Sequence, residues 1–205
     1  MKYIKTILSK FFHIFRVFIS FLKIKFIKKN FFISNLELGS GGKRKGWFTI
    51  DRVNDIDLYW DFRFQIPLKS ESVKFVYSSH FLEHFEYQTM DFILNEKYRL
   101  LENGGKIRVC VPDIKWAIEK YNVRDNALEH QRHFPAFISE TPADLLNYLF
   151  YMGGQHKFMF DEESLIFHLT RVGFKNVKAS IFHPQIDIES RKYNSIYVEG
   201  EKWIP

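Results

Sequence analysis

The segment Leu36-Glu37-Leu38-Gly39-Ser40-Gly41-Gly42 is the sequence feature from which the fold follows. It ends the apolar run 31–38 in glycines, and this pattern predicts a buried parallel β-strand followed by a tight turn. Glycine has no Cβ atom, so the backbone of such a turn can approach a ligand closely. The sequence therefore predicts a cofactor-binding loop at the end of the first strand.

Two further apolar runs also end in polar side chains. Residues 47–51 end in Asp51, and residues 73–80 end in Ser78, Ser79 and His80. Helical patterns flank another apolar run at 106–111, and such alternation predicts an α/β domain with a parallel sheet and helices on both faces. Ligands of these sheets bind beyond the carboxyl ends of the strands, so the polar ends should face one crevice.

Five motifs follow one another in a specific order: ELGSGG at 37–42, WFTIDR at 47–52, the segment 61–67, VYSSHFLEHF at 76–85 and LLENGGKIRVCVPD at 100–113. Together they resemble class I S-adenosylmethionine-dependent methyltransferases, in particular the small methyltransferase-like proteins often associated with bacterial surface-glycan biosynthesis. The resemblance covers residues 33–118 well and is weaker at 156–174 and 194–202. It implies a Rossmann-like seven-stranded sheet, one antiparallel strand, and S-adenosylmethionine as the cofactor.

The resemblance also implies which residues bind that cofactor. An acid at Glu37 helps to hold the amino group of the methionine part, and the glycine turn passes beneath it. Asp51 accepts hydrogen bonds from the ribose hydroxyls or, alternatively, caps a turn. Asp61 accepts a hydrogen bond from the adenine amino group or, alternatively, is a turn residue. The segment that contains His80 lies below the sulfonium. The complete set is Glu37, Gly39, Ser40, Gly41, Asp51, Asp61, Ser79 and His80. Phe62 and Phe64 are candidates for the floor of the purine site or for the core.

One departure from the family pattern lies in the turn itself. The third glycine of a GxGxG motif is replaced by Lys43, and residues 42–46 are too short for the usual first helix. We therefore expect the chain to pass almost directly into the second strand and to bind the cofactor less strongly. Residue Arg44 stands where the GxGxxG pattern needs glycine, which argues against a dinucleotide site.

Two histidines are candidate catalytic residues. His80 could act as a general base, because an imidazole can take a proton from a hydroxyl group during methyl transfer; alternatively it orders the cofactor or caps a helix. His156 follows the flexible turn 153–155, within a family-like motif. Residues 122–155 form a variable block, expected to shape an acceptor pocket or lid, in which His130, Arg132 and His133 could line the site or lie on the surface.

Metal binding and disulfide formation are not expected. Glu83 and His84 are adjacent, but the sequence offers no convincingly spaced third and fourth ligands, so we predict no metal site. Cys110 is the single cysteine and lies in a predicted buried strand, which indicates a core residue and fits a reducing cytoplasm.

The positive charge is concentrated at the amino terminus. Residues 1–33 contain eight basic and no acidic residues, whereas the other residues carry 22 basic and 24 acidic groups. At 100° per residue, the basic and small polar residues of the arm form one stripe, and Phe, Ile and Leu cover the other side. Residues 1–30 are therefore predicted to form an amphipathic helix, followed by one methyltransferase-like domain at 31–205.

The charged residues of this helix argue against a transmembrane span, and no small-residue cleavage site marks a signal peptide. We expect residues 2–29 to bind an anionic membrane surface, which would place the protein in the cytoplasm as a peripheral protein at the inner face of the membrane. The alternative is a helix that packs on the domain or on a second subunit. The oligomeric state is left open by the sequence.

The expected function is methyl transfer to a hydroxyl of a glycan or a lipid-linked precursor. A small molecule or lipid headgroup is an alternative acceptor. Nucleic acid is a weaker one, because the basic groups are gathered in the arm and the Asn/Asp-Pro-Pro-Tyr/Phe signature is absent. A third alternative is a non-catalytic membrane-associated protein that retains the fold, which the lysine at position 43 favours.

Overall fold

A computed structural model describes residues 32–124 and 141–203, together with Phe15, Arg16, Phe18, Ile19, Ser20 and Leu22. Within this part, seven strands form one sheet in the order β3-β2-β1-β4-β5-β7-β6. The strands are β1 (Ile33–Leu38), β2 (Phe48–Asp51), β3 (Leu58–Tyr59), β4 (Val73–Ser79), β5 (Leu101–Pro112), β6 (Lys175–Ser180) and β7 (Ser195–Glu201). The first five pair in parallel, and β7 is antiparallel to both neighbours. The predicted fold class, with one reversed strand, is confirmed.

The central strands are buried on both faces, as continuous apolar runs predict for parallel strands. Leu36 and Leu38 of β1 and Val76 of β4 are completely buried. Leu169 and Phe174 belong to the same buried core. The carboxyl ends of β1, β2 and β4 consequently lie on a rigid base.

Four α-helices accompany the sheet in the described residues: α1 (Tyr87–Leu100), α2 (Ile114–Asn122), α3 (Pro142–Tyr151) and α4 (Glu162–Val172). Their ends follow the predicted signals. Thr141 and Asp144 form a capping box at the start of α3, and Asp161 accepts a hydrogen bond from the backbone N–H of Ser164 at the start of α4. Residues 42–46 contain no helix, so the turn enters β2 directly, as expected.

The apolar side chains at 85, 93, 94, 98 and 101 predict a single helix over residues 81–101. This prediction is wrong, because the chain forms a 3₁₀ helix (Leu82–His84) and then α1. The backbone is extended at Phe85 and Glu86. The carbonyl oxygen of Glu83 accepts hydrogen bonds from the N–H groups of Lys157 and Phe158, instead of continuing a helical ladder. A contact with a distant segment has therefore divided the helix.

The sequence Asn103-Gly104-Gly105 predicts a turn before the strand, but these residues lie inside β5. Val73 pairs with Leu101, whereas Phe75 pairs with Lys106, so β5 contains extra residues that bulge from the sheet. β7 also begins two residues later than the predicted start at residue 193.

The six described residues of the arm are helical, in agreement with the predicted amphipathic helix. No helix among the described residues is long and apolar enough to cross a membrane. The rest of residues 1–30 and the predicted pocket residues His130, Arg132 and His133 lie outside the described part of the chain.

Candidate functional site

The glycine turn after β1 is held by hydrogen bonds to β2. The Gly39 N–H donates to the carbonyl oxygen of Ile50 at 2.9 Å, and the Gly41 N–H donates to Asp51 Oδ2 at 2.7 Å. Gly39 has φ = +72°, and a Cβ atom there would lie 2.1 Å from Cδ2 of Phe81. The turn therefore packs directly on the residues that follow β4.

Glu37 lies at the end of β1 and is 1% exposed. Arg44 reaches back from the short connection, and its Nη1 atom lies 3.3 Å from Glu37 Oε2. The Arg44 guanidinium also stacks 4.4 Å from the ring centroid of Trp47 and donates to the carbonyl oxygen of Ile186. Burial raises the pKa of Glu37, although Arg44 acts in the opposite direction. The sequence predicted the carboxylate but not the arginine beside it.

Two further carboxylates line the same edge of the sheet. Asp51 caps the glycine turn through Oδ2, which accepts from the Gly41 N–H, while its Oδ1 atom accepts from the Arg52 N–H at 2.5 Å. Asp61 is buried and forms a two-point pair with Arg63, whose hydrogen bonds hold the pKa of Asp61 below its usual value. Arg52 lies 3.8 Å from Asp61, and so links the two carboxylates.

Phe62 and Phe64, the candidates for the floor of the purine site or for the core, do not lie in similar environments. Phe62 is buried, and its ring packs edge-to-face on Phe81 with centroids 4.6 Å apart, so it belongs to the core. Phe64 is 61% exposed.

The space above the turn fits a polar ligand. Ser40 Oγ is buried and lacks a hydrogen-bond partner among the described residues. Gly41 and Gly42 have no atom within 4 Å of the position of a Cβ. A compact polar ligand group requires open backbone, a hydrogen-bonding partner and a nearby charge. The turn offers all three, in its glycines, the buried Ser40 hydroxyl and the neighbouring carboxylate.

A second group of polar residues begins where β4 ends. Ser79 is buried, and His80 adopts φ = +48°, with its backbone N–H bonded to the carbonyl oxygen of Cys110 at 2.9 Å. Its Nε2 atom lies 2.8 Å from Ser195 Oγ. The strained conformation turns the chain sharply into the 3₁₀ helix that carries Glu83 and His84.

Glu83, His84 and His156 are brought together by this turn. Their potential ligand atoms all lie within 4.8 Å of one another, and the rings of His84 and His156 pack edge-to-face with centroids 5.1 Å apart. Burial lowers the pKa of both histidines and raises that of Glu83 to about 8. The cluster opens into a pocket lined by His80, Tyr148, Met152, Arg191, Tyr193 and Asn194.

Lys97 of α1 is completely buried and donates to Ser78 Oγ. Burial lowers its pKa to about 7, while the charge of Glu83 acts in the opposite direction. No local pattern in α1 marked Lys97 as buried, because its burial depends on how the helix packs against β4.

Known methyltransferases resemble this chain in part of its sequence and in its fold. A family model described as a methyltransferase domain matches residues 57–109, about a quarter of the chain. The structure also matches an S-adenosylmethionine-dependent methyltransferase from Archaeoglobus fulgidus, with 14% identity, a TM-score of 0.53, and coverage of 91% of this chain and 94% of that chain. This protein has the methyltransferase fold.

Two other solved structures with this fold are similar. One, from Thermotoga maritima, is described as a possible histamine N-methyltransferase; it is 17% identical, with a TM-score of 0.52 and coverage of 98% of this chain and 97% of that chain. The other is PigF with SAH, 13% identical, with a TM-score of 0.50 and coverage of 86% of this chain and 53% of that chain. No protein of curated function matches the sequence.

The predicted residues therefore fall into two groups within the methyltransferase fold. Glu37, Gly39, Gly41 and Asp51 meet at the glycine turn. His80 and His156 instead line the neighbouring pocket. The roles assigned to them remain predictions. The pocket residues Tyr148, Arg191 and Tyr193 could not be singled out from the sequence, because they come from separate segments and share no local motif.

Proposed function

We propose that the protein binds S-adenosylmethionine at the glycine turn and transfers its methyl group to an acceptor in the adjacent pocket. The observation that carries the proposal is the arrangement of Glu37, the Gly39–Gly41 turn and Asp51 at neighbouring strand ends, with Asp51 fixed by the Gly41 N–H. In open α/β sheets this edge is where ligands bind. The partial family match and the shared fold support the same proposal.

Each part of the turn suits one part of S-adenosylmethionine. The Glu37 carboxylate would accept from the ammonium group, and Ser40 Oγ would gain the partner that it lacks among the described residues. Asp51 would accept from the ribose hydroxyls through lone pairs beyond those used by the turn. The Asp61 carboxylate already accepts hydrogen bonds from Arg63. It would accept a further one from the adenine amino group only through its remaining lone pairs.

The bound cofactor supplies an activated methyl group on a positively charged sulfur. The chain then has to position the acceptor and exclude water, which alone can contribute a large part of the rate enhancement. His80 and His156 are the candidates for taking a proton from a hydroxyl acceptor. Because His80 Nε2 is 2.8 Å from Ser195 Oγ, its base function would operate through Nδ1 or through that hydroxyl.

We propose a sugar hydroxyl of a glycan or a lipid-linked precursor as the acceptor. The pocket offers two tyrosines, Tyr148 and Tyr193, and one arginine, Arg191. Aromatic faces and a few polar groups of this kind fit the apolar and hydroxyl-bearing sides of a sugar ring. A small molecule of similar chemistry would fit the same pocket, and a screen with both classes distinguishes them.

The arm would bring this site to the cytoplasmic face of an anionic membrane. Phe15, Phe18 and Leu22 are 51%, 57% and 45% exposed, whereas Ser20 is 4% exposed. Arg16 lies over the ring of Tyr59 at 5.5 Å. The described apolar side chains of the arm are thus open to solvent, and the eight basic residues of segment 1–33 match anionic headgroups.

Calorimetric titration of S-adenosylmethionine and S-adenosylhomocysteine tests the cofactor proposal. We expect both to bind the wild-type protein and Asp51→Ala to lose most of the affinity. Asp57→Ala is a suitable comparison, since Asp57 bonds Thr49 in the same region but does not touch the turn. Absence of binding to a folded wild-type protein would refute the enzyme proposal and favour a non-catalytic role.

A further inference from the structure

We propose that Glu83, His84 and His156 form a binding site for a divalent transition-metal ion of the Zn²⁺ type. Two imidazoles and one carboxylate are a common ligand set for zinc at sites that keep a position open. The ligand atoms of the three residues lie within 4.8 Å of one another, and Glu83 Oε1 is 3.9 Å from His84 Nε2. The proposal concerns ion binding and does not depend on methyl transfer.

Backbone carbonyl groups fix both imidazoles in the orientation that ligation requires. His84 Nδ1 lies 3.3 Å from the carbonyl oxygen of Gln155, and His156 Nδ1 lies 2.5 Å from that of Leu149. A carbonyl oxygen can only accept, so each Nδ1 carries the proton and each Nε2 keeps its lone pair. Such outer hydrogen bonds are typical of metal-binding histidines.

A bound cation would allow Glu83 to carry the negative charge of the site. Its side chain is completely buried, and neither carboxylate oxygen has a hydrogen-bond partner among the described residues. A buried carboxylate of this kind needs a compensating cation. Arg191 and Lys97 act on its charge and are the competing explanation. A bound divalent ion would satisfy the carboxylate and both Nε2 lone pairs together.

The main chain holds the two ligand-bearing segments against each other. The carbonyl oxygen of Glu83 accepts from the N–H groups of Lys157 and Phe158 at 2.7 and 3.2 Å. Ligands of a tetrahedral zinc ion with bonds of about 2.1 Å are about 3.4 Å apart. The cluster would therefore have to contract by roughly an ångström on binding an ion.

The sequence predicts no metal site because no third and fourth ligands are convincingly spaced with Glu83 and His84. In the folded chain, His156 supplies a third ligand. It comes from a segment that follows α3, so no local spacing revealed it. The cluster faces the pocket that also contains Tyr148 and Tyr193. A fourth position on the ion would be accessible to water or to an oxygen of a pocket ligand.

Metal binding to the full-length protein tests the proposal. After treatment with EDTA, Zn²⁺ is titrated calorimetrically, and Co²⁺ is added separately as a spectroscopic probe. We expect one tight Zn²⁺ site and the visible absorption bands of Co²⁺ with nitrogen and oxygen ligands in low coordination. His84→Ala and His156→Ala should each weaken Zn²⁺ binding by more than about tenfold.

His183→Ala is the matched control, because His183 is exposed and outside the cluster, and it should bind like the wild type. If an alanine variant does not fold, Glu83→Gln preserves the side-chain volume and should abolish the increase in melting temperature that Zn²⁺ gives the wild type. A folded wild type that binds neither ion would overturn the proposal. Equal Zn²⁺ affinity in the wild type, His84→Ala and His156→Ala would do the same, since the ion would then lie elsewhere.

Discussion

The guanidinium of Arg44 lies 3.3 Å from the carboxylate of Glu37, at the end of the first strand. This is the carboxylate to which we assign the ammonium group of S-adenosylmethionine. The arginine therefore competes with the ligand, or it turns to hold the carboxylate of the methionine part. The two possibilities predict opposite effects of removing the side chain.

We expect Arg44→Ala to bind S-adenosylmethionine several-fold more tightly, because the Glu37 carboxylate no longer has an internal cationic partner. Calorimetry with the full ligand and with methylthioadenosine, which lacks the amino-acid part, measures the effect, and methylthioadenosine affinity should stay unchanged. Lys45→Ala is the control, since Lys45 is an exposed lysine of the same short connection. Weaker binding by Arg44→Ala would instead make the arginine a ligand-binding residue.

Gly39 and Gly41 provide a matched pair of substitutions in the turn. Both have positive φ, so alanine should cost roughly 1–2 kcal/mol of unfolding free energy at either position. At Gly39 the new methyl group would also collide with Phe81, whereas Gly41 has open space. We expect Gly39→Ala to be the more destabilised in urea unfolding, by about a further 1–3 kcal/mol.

Phe81→Leu in the Gly39→Ala background tests that explanation. The smaller side chain should recover part of the lost stability, although it is itself destabilising in the wild type. If the two effects simply add, the steric contact between Gly39 and Phe81 is not the cause.

His168 should make stability depend on pH. Its side chain is buried, its Nδ1 atom has no hydrogen-bond partner among the described residues, and burial lowers its pKa. Protonation therefore favours the unfolded chain, so stability is complete above the unfolded pKa and falls as the pH decreases below about 6.5. His168→Phe retains the ring contacts with Phe158 and Phe160.

Urea midpoints measured at about pH 7.5 and 5.5 should decrease more for the wild type than for His168→Phe. The remaining decrease in the variant reports the other buried histidines. Equal decreases in both proteins would mean that His168 does not titrate in this range.

Arg108 links β5 to β7 and to the segment after β6 through a buried ion pair and a partly exposed one. It is completely buried, and it donates to Asp187 Oδ1 at 2.8 Å and to Glu199 Oε1 at 2.6 Å. Arg108→Met should lower the free energy of unfolding by about 3–5 kcal/mol, because Asp187 would remain buried without its partner. Adding Asp187→Leu should restore part of that loss, and no recovery would show that packing of Arg108 is the larger contribution.

Local patterns predicted most of the fold but only part of the site. The strand ends at Leu38 and Asp51, the cap at Asp161 and the missing first helix follow from residues that are neighbours in sequence. The break at Phe85 and the bulge in β5 were not predictable in this way. Both depend on hydrogen bonds to segments far along the chain, which override local propensity.

The same distinction applies to the functional residues. Acids and glycines at strand ends could be chosen from the sequence because topology gathers strand ends at one edge. The partners of those residues could not, since Arg44 reaches Glu37 only through the geometry of a short turn. His156 likewise meets His84 only because the chain after α3 returns to the end of β4.

The exposed face of the arm gives the clearest test of membrane association. Phe15→Glu together with Phe18→Glu should reduce binding to vesicles containing phosphatidylserine by at least about tenfold, since each buried phenylalanine contributes roughly 1.5–3 kcal/mol. Phe167→Glu is the matched control, because Phe167 is 60% exposed on α4. Sedimentation with anionic and with neutral vesicles separates the contribution of lipid charge from that of apolar insertion. Binding of the wild type to anionic vesicles should decrease with added salt. Two results would contradict membrane binding by this face: unchanged sedimentation of the double variant, or a wild type that forms dimers and does not bind vesicles. The second result would show that the face packs against protein.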